Sequence, residues 1–304
     1  MLTSELRAWV VEEGDNRSFY VEELDHSIVR VPSYELGGSG LLGPGEHSDE
    51  EVEKAIADHL SRYGPIRVQK CLFHSGEYHP RIWRGEFSPQ ATPESVRALS
   101  NCLQQAQLLF EHQNSVFRAI HPDARNAGSF GHEPRSLLIL ACTTVEASLK
   151  AILNANGYRG KDDRTTMNDY VNLAKPMRLR EWIVAMPLYP DWPRIQPFAS
   201  WDETKPTQSL PWYDAYNQTK HDGETKLHLA SLANTVDAVA AVFILLLAQF
   251  GPDSLSGRSV YSVDDYHVIE TPSWSPVELY PPFQGGDGRT TSLTPVPLFA
   301  DRTT

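Results

Sequence analysis

The stretch AVAAVFILLLA, residues 238–248, decides the fold of the second half of the chain. It contains no polar side chain, and it lies within a longer helical pattern over 227–250 that ends at Gly251 and Pro252. A run of eleven apolar residues is shorter than the roughly twenty that cross a bilayer. The pattern therefore predicts the central core helix of a bundle and no membrane span.

Helical spacing of apolar residues continues upstream of this segment. A long helix is expected over 93–120 and a second over 134–156, and the two would pack as an antiparallel pair. A shorter helix is predicted over 162–174 and another over 211–220. With the core helix, these segments predict a helical bundle over 93–251.

The first ninety residues follow a different pattern. Ser48 and Glu51 form a capping-box pair that predicts a short helix ending near residue 63. Alternating apolar and polar residues around it predict four strands, over 18–24, 27–31, 66–73 and 81–87. The fold class is therefore α+β, with a small β-rich module over 1–90, the bundle over 93–251, and an extended C-terminal arm over 252–304.

Composition narrows the classes of function. The chain has 304 residues, 40% of them apolar, and a net charge of −12. A soluble globular protein is expected, and the negative charge argues against a broad electrostatic grip on duplex nucleic acid or on an anionic membrane. Three cysteines form no disulfide framework, and the first residues lack the pattern of a signal peptide. A cytoplasmic location is expected.

The most informative short stretch is WYDAYNQTKHD, residues 212–222, which precedes Gly223. On a helix, Tyr213, Asn217 and His221 follow one another at four-residue spacing, and Tyr216 and Lys220 belong to the adjacent stripe. An imidazole exchanges protons near neutral pH, an amide can orient a phosphate, and an ammonium balances its charge. These groups are suited to RNA.

This sequence resembles a HEPN-type helical bundle over roughly residues 93–251, about half of the chain. The resemblance rests on the long-helix pair, on the word YNxxKH over 216–221, and on the apolar helix that follows. Many HEPN proteins are metal-independent ribonucleases of toxin–antitoxin, antiviral defence or RNA-processing systems. They are typically homodimers with the site at the dimer seam. The resemblance implies RNA as a partner, a homodimer, and neither metal nor cofactor.

The resemblance also assigns roles. The family motif is an arginine, a polar residue, a short spacer and a histidine, so Asn217 fits the polar position and His221 the histidine. His221 would move the proton of the 2′-hydroxyl or of the leaving group as general acid or base. Tyr216 stands in the place of the arginine, and a phenol lacks the positive charge and the paired N–H donors of a guanidinium. Lys220 would supply charge by reaching across the helix.

Glu146, on the helix predicted over 134–156, is a supporting candidate with Tyr213. It follows the buried stripe and could orient His221 or pair with Lys220. The alternative is a surface pair with Lys150. For the word over 216–221, the alternative is that its polar residues only tie two helices together.

A second function from a different class stays open. The protein could be a catalytically silent, dimeric scaffold that recruits a protein partner through its acidic N-terminal module. Residues 1–90 contain nine Lys or Arg and sixteen Asp or Glu. Cys71, His74 and His79 have a spacing that could begin a zinc site. No second Cys/His pair follows, which favours strand and loop residues without metal.

Overall fold

The structure, a computed structural model, describes residues 6–13, 16–23, 25–31, 41–61, 65–85, 93–252, 265–281 and 293–300. The chain forms two compact units. The first comprises Met1–His79, Arg84–Pro89 and Ser273–Val296, and the second comprises Pro80–Trp83, Gln90–Pro272 and Pro297–Thr304. An antiparallel sheet near the N-terminus, followed by a helical region, confirms the α+β class with an N-terminal β-rich module.

The helices and strands of the described residues are, in chain order, β1 (Ala8–Glu13), β2 (Asn16–Glu22), β3 (Ile28–Val31), α1 (Asp49–Leu60), β4 (Arg67–Lys70), β5 (Glu77–Tyr78), α2 (Pro93–Ala119), α3 (His132–Ala155), α4 (Met167–Tyr170), β6 (Ile183–Ala185), α5 (Pro211–His221), α6 (Leu232–Phe250), β7 (His267–Glu270) and β8 (Thr294–Pro295).

Strands β1 to β4 form one antiparallel sheet in the order β3-β2-β1-β4. Along β1, Trp9 and Val11 belong to the apolar cluster that includes α1, while Ala8 and Val10 belong to a second cluster. Alternate residues of a strand point to opposite faces, so both faces of β1 are covered. Such a strand has no apolar–polar alternation, which explains why the sequence pattern did not predict it.

The strand predicted over 81–87 is wrong for its described residues. Arg81 and Gly85 have φ angles of 58° and 74°, which no regular strand contains. A short strand, β5, lies instead between the two segments predicted as strands, and it pairs in parallel with β8. Helix α1 begins at Asp49, and the predicted capping box between Ser48 and Glu51 is present.

The second unit is built around α6, which contacts α2, α3 and α5. Every residue over 238–248 is buried, which confirms the predicted core helix. By length and composition α3 and α6 could each cross a membrane, but 50% and 83% of their apolar windows are buried inside the protein. Burial of this kind is typical of the core helices of a soluble protein.

Two predicted helices differ in extent. The helix expected over 162–174 is only the single turn α4, flanked by 3₁₀ turns over 161–163 and 171–173, because Asp162 and Asp163 adopt positive φ angles that interrupt an α-helix. The helix expected over 227–250 begins at Leu232, where the side chain of Ser231 caps its first turn.

The C-terminal stretch predicted as one extended arm over 252–304 is divided between the two units. In the second unit, β7 pairs antiparallel with β6. In the first unit, β8 pairs with β5. The described parts of the stretch therefore complete small sheets through backbone hydrogen bonds.

Candidate functional site

Helix α5 carries the polar word over 216–221 and is anchored by its aromatic residues. Pro211 occupies the first turn, where its missing N–H is not needed. Trp212 is buried and donates its indole N–H to the carbonyl of Pro197 at 2.8 Å. Phe198 packs edge-on against Trp212. The start of α5 is thereby fixed in the core.

Tyr213 lies in the interface between α5 and α3. Its hydroxyl donates to Oε1 of Glu146 at 2.5 Å. Burial, followed by the hydrogen bond and the negative charge of Glu146, raises the pKa of the Tyr213 phenol above its usual value. Glu146 does enter the interhelical space, as predicted, but its partner there is Tyr213. In the described part of the chain it forms no ion pair with Lys220 or Lys150.

Tyr216 and Lys220 form a second contact one turn apart on α5. The ammonium of Lys220 donates to the Tyr216 hydroxyl at 2.9 Å and lies 5.0 Å from the centroid of its ring. This hydrogen bond raises the pKa of Lys220, and burial raises the pKa of Tyr216. Lys220 is therefore drawn along its own stripe toward Tyr216. It does not reach across to His221 in this conformation.

Asn217 and His221 complete the predicted site. Asn217 is half-buried and His221 is exposed. Within the described residues, neither side chain makes a hydrogen bond or an ion pair. The alternative interpretation, in which both side chains form hydrogen bonds that tie two helices together, therefore does not apply. Both groups are available to a ligand.

The sequence pattern missed Arg135, which lies in the first turns of α3. Its Nε and Nη2 donate to the carbonyl oxygen of Thr219 at 3.2 and 2.9 Å. Gly223 also approaches this guanidinium closely, since a Cβ atom added there would be 3.0 Å from Nη2. Thr219 and Gly223 flank His221 on either side, so a guanidinium lies at the turn that carries the histidine.

One sequence signal could have identified Arg135. If α3 and α5 pack antiparallel, the first turn of α3 meets the last turn of α5, and Arg135 is the only cation of α3 in that first part. The two contacts at Thr219 and at Tyr213 confirm the antiparallel arrangement, because they join opposite ends of the helices. The same contact also stabilises the fold, because a cation near a helix C-terminus can hydrogen-bond the last carbonyl groups of that helix.

The residues considered for zinc have other partners. His74 pairs with Glu77 at 3.0 Å, and His79 hydrogen-bonds the Val296 carbonyl at 2.7 Å. Burial raises the pKa of Cys71 to about 12, which disfavours the thiolate that a metal requires. Among the described residues, no group of three His, Cys, Asp or Glu side chains could hold a metal ion.

Comparison of the chain with protein-family models, with curated proteins and with solved structures gives no match.

Proposed function

We propose that the helical unit is a HEPN-like, cytoplasmic RNA-binding protein that cleaves RNA without a metal at the exposed end of α5. The observation that carries the proposal is the guanidinium of Arg135 beside the helical turn of His221, hydrogen-bonded to Thr219. The two groups come from different helices, but they supply the arginine and histidine that such chemistry uses.

The proposed reaction is attack of a ribose 2′-oxygen on the adjacent phosphorus. As the O2′–P bond forms and the P–O5′ bond breaks, His221 accepts the 2′-hydroxyl proton or donates a proton to the leaving 5′-oxygen, and solvent water makes the other proton transfer. The products would be a 2′,3′-cyclic phosphate and a 5′-hydroxyl end. Arg135 stabilises the charge that builds on the phosphoryl oxygens, and the free amide of Asn217 orients them.

Lys220 has a smaller role in this proposal. Its ammonium is held by the Tyr216 hydroxyl, so it adds positive potential at the site as a fixed charge. Tyr216 replaces the arginine of the family word, and Arg135 compensates for that loss from α3. Tyr213 and Glu146 then serve as the buried pair that fixes α5 against α3.

The test is cleavage of a mixed cellular RNA pool in excess EDTA by wild type, His221→Ala and Arg135→Lys, with the ends of the products sequenced. Wild type should produce 5′-hydroxyl ends, and both variants should lose most of that activity. His267→Ala removes another exposed imidazole of the same unit and is the matched control. Equal cleavage by wild type and His221→Ala would contradict the proposal.

A second candidate is a catalytically silent dimer that recruits a protein through its acidic N-terminal module. The observation that favours it is the outer stripe of α3, which is exposed and uncharged from Ser136 to Ala147 and includes Leu140 at 50% exposure. Sedimentation of wild type and Leu140→Glu tests it. A wild-type dimer that dissociates in the variant, with no RNA cleavage by either, would favour this candidate.

A further inference from the structure

An exposed aromatic pair lies at the end of the bundle that carries the proposed site. Phe130, just before α3, is 53% exposed. Its ring centroid is 6.5 Å from that of the exposed His228, and the two rings are nearly perpendicular. A phenyl ring exposed to this extent presents an apolar surface on which a ligand can pack.

The backbone that presents Phe130 is fixed by hydrogen bonds to the start of α6. Phe130 forms an antiparallel bridge with Ser231. Next to that bridge, the amide of Leu232 donates to the Ser129 carbonyl at 2.7 Å, and the amide of Ala233 donates to the Ala127 carbonyl at 3.0 Å. A fixed backbone presents the ring at little entropic cost to a ligand.

The same end of the unit carries the proposed site. Pro134 and Thr235 join the first turns of α3 and α6 through a hydrogen bond of 3.2 Å, and Arg135 joins α3 to the last turn of α5. Phe130 and His228 therefore flank the helix ends that present Arg135 and His221. An aromatic surface beside cationic groups is the combination that binds single-stranded nucleic acid.

Three exposed carboxylates lie nearby, and two of them are hydrogen-bonded within the protein. Glu133 accepts from His112 at 3.1 Å. Asp222 accepts from the amide and hydroxyl of Thr225, which holds the pKa of its carboxyl below the usual value. Glu224 is a third exposed carboxylate in this part of the unit. Arg135, Lys220 and Lys226 offset these charges, so a phosphate would be bound by direct hydrogen bonds from Arg135 and not by an excess of positive charge.

We infer that Phe130, with His228 against its ring, is a stacking platform for one unpaired base of an RNA strand whose phosphate lies at Arg135 and His221. The inference rests on the proposed function and names its substrate class, which is single-stranded RNA. Bases inside a duplex are stacked on their neighbours and cannot reach such a ring. An unpaired base can stack on it in any sequence context.

The test is fluorescence anisotropy with a short labelled single-stranded RNA, an abasic strand of equal length, and a duplex. Phe130→Ala should weaken binding of the single strand by about 5- to 100-fold, whereas Phe130→Trp should bind it as tightly as wild type does. Neither change should affect the abasic strand. Leu108→Ala, which removes a 66% exposed side chain from α2, is the matched control and should bind like wild type.

The outcomes separate the two proposals. If wild type binds the single strand and Arg135→Lys weakens it while Phe130→Ala does not, the stacking platform is wrong and the proposed function stands. If wild type prefers the duplex, the substrate class is wrong. If wild type binds none of the three ligands, both proposals fail.

Discussion

Asp237→Asn should stabilise the helical unit, and more strongly as the pH rises. Asp237 lies in the first half of α6 and, within the described residues, forms neither a hydrogen bond nor an ion pair. Burial raises the pKa of its carboxyl from 3.8 to about 7. Asp237 and the neighbouring Asp265 also raise the pKa of the buried Tyr266, after burial itself. The charged carboxylate is therefore unfavourable at this position.

The magnitude follows from the two pKa values of Asp237. Well below pH 3.8 the carboxyl is protonated in both the folded and the unfolded chain, and it contributes no pH dependence. Between about pH 4 and pH 7 the unfolded chain ionises while the folded protein keeps the proton, so stability falls as the pH rises. A difference of about 3 in pKa corresponds to a loss of up to about 4 kcal/mol above pH 7. Asparagine has no such penalty.

The assay is urea unfolding of both proteins, followed by helical circular dichroism, from about pH 4.5 to pH 8. The free energy of unfolding of Asp237→Asn, relative to wild type, should increase steadily over this range. A pH-independent difference in the free energy of unfolding would reflect the changed hydrogen bonding of the amide, and it does not affect the test, which depends on the trend with pH. Asp191→Asn, which makes the same substitution at an exposed position of the same unit, is the control. A difference that stays within about 1 kcal/mol across the range would refute the reasoning.

Three further outcomes are expected. Gly251→Ala should destabilise the helical unit by about 2–4 kcal/mol in urea unfolding, because Gly251 has a φ of 81° and an added Cβ would lie 2.5 Å from Nε1 of Trp83. Ser48→Ala should cost about 1 kcal/mol through loss of the helix cap, whereas Ser48→Asp should retain the wild-type stability. The thiols of Cys71 and Cys142 should resist alkylation in the native protein and react fully in urea, because burial raises the pKa of both. Rapid labelling of either thiol without urea would contradict their burial.

Much of the architecture was predictable because it depends on local patterns. The apolar run over 238–248 predicted the core helix, since only a fully buried helix tolerates apolar residues on every side. Prolines and glycines located the ends of α3 and α5 to within two residues. Strand β1 was missed because burial on both faces removes the alternation that identifies a strand.

The site was only half predictable for a related reason. Spacing on one helix placed Tyr213 and His221 on a common stripe, and the structure buries the first and exposes the second. The sequence of α5 gives no information about which side chains of α3 contact it. Arg135 reaches the last turn of α5 from 84 positions away in the sequence.

The sequence by itself determined where helices form, which helix is central, and which polar residues share a stripe, because hydrophobic periodicity and capping act over a few neighbouring residues. Only the tertiary structure decided which of these polar side chains form hydrogen bonds within the protein and which are left available to a ligand. Antiparallel packing of α3 against α5 joins Glu146 to Tyr213 and Arg135 to Thr219. Such pairings depend on distances between segments far apart in the chain, and these are set when apolar faces pack together.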